Sequence, residues 1–98
     1  MVNEVKTIKD RRMFEKFISK FFINNSVYVK SDRGNVNVKL LNSTRGMIEM
    51  RIPIAGYTPE DCLIFTRYNG NIIYGHLKFC EKKGKDVFSF NPYMFQVT

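Results

Sequence analysis

Strict alternation of apolar and polar residues on both sides of one loop constrains this chain more than any other feature. Val36, Val38 and Leu40 alternate with Asn35, Asn37 and Lys39, and Ile48, Met50, Ile52 and Ile54 alternate with Glu49, Arg51 and Pro53. A period of two belongs to a strand with one buried and one wetted face. The stretch from Asn35 to Ile54 therefore reads as an antiparallel hairpin closed by the loop Leu41-Asn42-Ser43-Thr44-Arg45-Gly46. That loop is polar, has a glycine free to adopt positive φ, and carries two hydroxyls and an arginine suited to an anion.

Further strands flank this hairpin. Val27 to Lys30 is a short strand, and Ser31-Asp32-Arg33-Gly34 is a turn with glycine where positive φ is wanted. Asn69-Gly70, between Cys62 to Tyr68 and Asn71 to Cys80, is a strong hairpin signal. It sets Tyr68 opposite Asn71, Phe65 opposite Tyr74 and Cys62 opposite Leu77, a register that keeps Cys62 and Cys80 from bridging. Both thiols are expected reduced and at least partly buried, because their strands are apolar. Ala55 to Asp61 reads as a loop, with Thr58 and Pro59 able to start one helical turn. After the turn Glu81 to Asp86, Val87 to Phe90 forms a strand, Asn91-Pro92 breaks it, and Tyr93 to Thr98 forms a last one.

The amino-terminal part has a different period. Met13, Phe14, Phe17, Ile18, Phe21 and Phe22 recur at three and four residues, opposite Lys9, Arg12, Glu15, Lys16, Ser19 and Lys20. This predicts an amphipathic helix over about 8–23, capped by Thr7 in a capping box with Asp10 or by Asp10 itself, and ended at Asn24-Asn25. The Phe stripe is either core or a face for a partner, with Phe14, Phe17 and Phe21 as the candidate interaction face.

The chain is thus expected to be mainly β, a small six- or seven-stranded antiparallel barrel over about 27–98 with one amino-terminal amphipathic helix. Its 98 residues suit one domain, and 44% hydrophobic with 14% aromatic content places it among chains that fold alone. The aromatics are nine Phe and five Tyr without Trp, which favours a compact aromatic core. Two cysteines without metal-ligand or disulfide-framework spacing point to a reducing cytoplasm. No apolar run reaches the ~20 residues of a membrane span. The apolar ending Phe95-Gln96-Val97-Thr98 leads to the expectation of a domain from a longer protein.

Catalysis finds little support. A single histidine, His76, rules out multi-histidine metal sites, and its mid-strand position favours a structural role. The carboxylates are scattered through turns, and no phosphate-binding glycine motif is present. No cofactor is expected. A net charge of +7, spread along the chain, leaves an anionic partner open. A small RNA- or single-strand-binding barrel of the OB or Sm-like kind is the alternative reading, against which no single strand shows dense aromatics interleaved with Arg or Lys.

Two segments carry a family resemblance. Arg11-Arg12-Met13-Phe14-Glu15-Lys16 ahead of the barrel resembles the RxxxR segment of PilZ domains, bacterial receptors for cyclic di-GMP. Leu41-Asn42-Ser43-Thr44-Arg45-Gly46 resembles their (D/N)xSxxG loop, and Tyr74 to Leu77 and Val87 to Phe90 look like their last strands. Ser43 and Gly46 match; Leu41 stands at the acidic or amide position and Lys16 at the second arginine. The resemblance implies a six-stranded split barrel in which Arg11, Arg12, Lys16, Ser43, Arg45 and Gly46 are the degenerate nucleotide-binding positions. With arginines beside a helix, the chain looks most like the divergent amino-terminal barrel, PilZN or YcgR-N, that precedes a true PilZ domain. The resemblance implies a non-enzymatic signalling or interaction module with weak or no cyclic di-GMP binding of its own. It also implies a following PilZ or other domain, a protein partner, or self-association.

Overall fold

A computed structural model describes residues 6–8, 10–23, 25–31, 34–44, 47–57 and 60–98. Seven strands, β1 (Lys6–Ile8), β2 (Val27–Ser31), β3 (Gly34–Thr44), β4 (Met47–Arg51), β5 (Asp61–Tyr68), β6 (Asn71–Lys82) and β7 (Val87–Val97), pair antiparallel throughout. Pairing runs β7–β4–β3–β2–β5–β6 and returns to β7, which closes a six-stranded barrel. The seventh strand, β1, adds to β7 alone. Closure removes the unpaired edges through which sheets aggregate.

Alternation decides which side chains fill the barrel. Val27 and Val29, Val38, Ile48 and Met50, Ile64, Ile73 and Leu77, and Phe88, Phe90 and Phe95 are buried on the inner face. Each apolar side chain so removed from water stabilises the fold by about 1.5–3 kcal/mol. Asn69 (φ 49) and Gly70 (φ 78) both adopt positive φ, as a tight two-residue hairpin turn needs. The expected register follows: Tyr68 faces Asn71, Phe65 faces Tyr74 and Cys62 faces Leu77. Gly34, at φ 99, takes the conformation expected after β2.

Several sequence expectations need correction. The helix α1 begins at Arg11 and ends at Phe17, because Thr7 and Ile8 pair with Gln96 and Phe95 in β1. Asp10 is the cap, its Oδ1 accepting from the Arg12 amide at 2.8 Å. The helix then widens into a π-helical stretch, Ile18–Phe22, sealed by the Ile23 amide donating to the Ile18 carbonyl at 2.9 Å. The β3–β4 loop is shorter than Leu41 to Gly46, since β3 continues through Thr44 past a bulge between Leu40 and Asn42. That bulge leaves Leu41 39% exposed. The second strand of the hairpin stops at Arg51 rather than Ile54, although Ile52 is still fully buried.

At the other end of the chain, Asn91-Pro92 does not interrupt β7. Between Phe90 and Phe95 the strand has a ladder partner on the β6 side, while β4 and β1 pair with it only below and above. A residue lacking an N–H is accommodated in such a half-open stretch, which also holds a bulge opposite His76 and Leu77. Cys80 is exposed, not buried: it follows His76 and Lys78 on the outer row and sits at a bulge between Phe79 and Glu81. Thr58 and Pro59 lie outside the described residues.

Candidate functional site

The helix closes one end of the barrel through Phe95. Phe14 meets the Phe95 ring edge-on at 5.1 Å, and Phe17 and Phe22 approach it at 5.7 Å each. The π-helical stretch serves this packing, because its extra residue per turn lets Ile18 and Phe22 both reach full burial. Asn25 Nδ2 donates to the Phe21 carbonyl at 2.6 Å and ends it.

The expected interaction face divides. Phe14, 3% exposed, belongs to the core. Phe17 and Phe21 are half-buried, 5.0 Å apart, with Phe21 edge-on to Tyr68 at 4.8 Å and Lys20 Nζ 5.3 Å above its ring. The exposed Met13 lies on the same helix.

Register shows how the two halves of the degenerate motif approach each other. Ile8 leaves β7 at Phe95, and Ile48 joins β7 at Phe90, both on the side of β7 opposite β6. The start of α1 and the Thr44–Met47 closure of the β3–β4 hairpin therefore converge on the same short stretch of β7. Arg12 and Lys16 are exposed on α1, which packs on β7, and Ser43 is paired with Ile48 on β4. Arg45 and Gly46, and the side chains of Arg11 and Ser43, lie outside the described residues.

The outer wall of the barrel carries a second constellation. Tyr28 on β2 stacks on Phe65 of β5 at 5.5 Å, and Phe65 approaches Tyr74 of β6 at 6.0 Å. Lys30 Nζ lies 5.9 Å over the Tyr74 ring. Beside Tyr28 and Phe65 opens a hollow of about 520 Å³, bordered by Asn25, Ser26, Asn35 and Arg67. Thr66, buried beneath, donates through Oγ1 to the Ser26 carbonyl at 2.8 Å and holds its floor. The Asn69-Gly70 register revealed the Phe65–Tyr74 pair in advance. Tyr28 joins it only through the β2–β5 pairing, for which no local signal exists.

Titrating groups offer little chemistry. His76 Nε2 donates to Gln96 Oε1 at 2.7 Å, a cross-strand link on the outer wall. Burial pushes the Cys62 thiol up to about 12, with partial relief from the Tyr57 hydroxyl. Burial and the neighbouring thiol likewise raise Tyr57 well above the usual phenol range. Among the described residues no cluster of three or more His, Cys, Asp or Glu could hold a metal, and no helix is long and apolar enough to cross a membrane.

A closed antiparallel barrel stoppered by an amino-terminal helix is the architecture of YcgR-N-type domains. The crystal structure of the YcgR-N domain of YcgR from Escherichia coli superimposes with a TM-score of 0.69, over 94% of this chain and 94% of that one. At 13% identity the likeness is one of fold. By sequence, the chain matches no protein family and no curated relative.

Proposed function

We propose that this chain is a non-enzymatic PilZ-like module of the YcgR-N kind, working in a cytoplasmic cyclic di-GMP effector by contact with a following domain, a protein partner or a second copy. The observation that supports this most is the fold shared along 94% of both chains with a domain of a longer protein. The half-buried Phe17 and Phe21, with exposed Met13, supply an apolar contact face.

The module holds cyclic di-GMP weakly or not at all. Forked arginine donors grip guanine edges and phosphates, and Lys16 offers a point charge in place of the fork. Leu41 offers no hydrogen bond where PilZ loops have Asp or Asn, and it is turned outward at a bulge. At about 1–3 kcal/mol for each lost charged or bidentate contact, the two losses weaken binding by roughly one and a half to four orders of magnitude. Calorimetry of the chain with cyclic di-GMP at physiological salt is expected to give no saturable heat. A saturable signal abolished by Arg12→Ala and by Ser43→Ala would make the domain a receptor in its own right.

A further inference from the structure

We propose that the outer wall formed by β2, β5 and β6 is a binding surface for single-stranded nucleic acid. It uses none of the residues of the helix-end motif, so it stands or falls separately from the cyclic di-GMP reading.

Tyr28, Phe65 and Tyr74 occupy directly paired positions on three adjacent strands and form a continuous row of rings, 5.5 and 6.0 Å apart. Their strands alternate between buried and more exposed positions, and all three rings stand on the exposed side. Every base has a π-face, so a row of rings accommodates successive bases with little regard to sequence. The hollow beside Tyr28 and Phe65 adds the side-chain amide of Asn35, which can meet a base edge.

The charge of this wall selects a polyanion. Strands β2, β5 and β6 carry Lys30, Arg67, Lys78 and Lys82 against Asp61 and Glu81, and both carboxylates stand at the ends of β5 and β6 far from the Asn69-Gly70 turn. Among the described residues the one ion pair, Lys83 to Glu81 at 3.2 Å, lies at the end of β6, away from the rings. Lys78 stands opposite Asp61, so Lys30 over Tyr74, Arg67 at the hollow and Lys39 on the neighbouring β3 are the cations left to an outside anion, and phosphates tracked by Lys and Arg provide it. An acidic peptide would satisfy the charge but has no use for aligned rings beside an amide-lined hollow. A chain of phosphates bearing flat heterocycles uses both.

Fluorescence anisotropy of a labelled single-stranded oligouridylate, about 12 nucleotides long to span a typical site, tests this with the intact chain. Saturable binding is expected at low salt, weakening with added salt at a logarithmic slope of about −2 for some three phosphates. Tyr28→Ala and Phe65→Ala are each expected to weaken it roughly tenfold or more. Arg67→Glu, at an exposed position, should weaken it and flatten the slope, with the melting temperature unchanged. Lys85→Glu, the same charge change on the β6–β7 turn, should stay within about twofold. The proposal is overturned by no saturable binding at low salt, by equal weakening in the Arg67→Glu and Lys85→Glu variants, or by oligoglutamate competing as well as unlabelled RNA. The last result would assign the wall to an acidic protein.

Discussion

Two cysteines illustrate how much a single position decides. Cys62 is 3% exposed and its thiol is pushed up to about 12, whereas Cys80 faces solvent at a bulge. A thiol-reactive chromophore at pH about 8 is therefore expected to label one cysteine rapidly and the second only after denaturation. Two fast thiols would put Cys62 outside the core, and none would show the β6 bulge to be misplaced. Because the Cys62 thiol titrates higher in the fold than in the unfolded chain, it adds stability that is complete below pH about 9 and is lost as pH climbs towards about 12. Urea midpoints falling across that window, and falling less steeply in Cys62→Ala, where buried Tyr57 still titrates high, check the sign. The sequence led to burial of both thiols because their strands are apolar. Counting alternate residues from the Asn69-Gly70 turn puts it outside, so local apolarity was the weaker guide. Gly75 is the complementary case: an added Cβ would lie 2.9 Å from Ile64 Cγ1 and 3.0 Å from Phe95 Cε1, both on fully buried side chains. Gly75→Ala is expected to lower stability by about 1–3 kcal/mol in chemical denaturation, an overpacking effect.

Among the elements, the helix is the one whose role was divided between core and interface. Its stripe was legible from the recurrence of Phe at three and four residues, but the split of the stripe was not. A 3.6-residue period cannot foresee that Ile18–Phe22 turns π-helical, and that turn sends Phe22 into the core while Phe17 and Phe21 stay half-covered. Phe22→Ala should accordingly cost about 3–5 kcal/mol and Phe17→Ala less, about 1–3 kcal/mol, in equilibrium unfolding. Equal losses would mean that the helix docks on Phe95 along a different face. Strand β1 escaped the sequence because three residues are too few to display a period, and its worth comes wholly from pairing with β7, about ninety residues on.

At the scale of the whole molecule, hairpin neighbours were readable and distant neighbours were not. The β2–β3, β3–β4 and β5–β6 pairs follow from turn chemistry and alternation, but β2–β5, β4–β7 and β1–β7 are decided only when the barrel closes. The candidate sites divide along the same line. The motif positions near α1 and the β3–β4 hairpin were named from spacing, whereas the Tyr28–Phe65–Tyr74 row required a strand pairing that no local pattern encodes. The β1–β7 seam has one more consequence. Lys6 lies opposite Val97, so the two ends of the described fold are laid side by side, and the chain runs as a ring with a nick in it. Where a ring is cut matters less than that it stays whole: a circular permutant with these ends joined by a short flexible linker and reopened in the exposed Lys83 to Asp86 turn should keep the parent's circular dichroism spectrum.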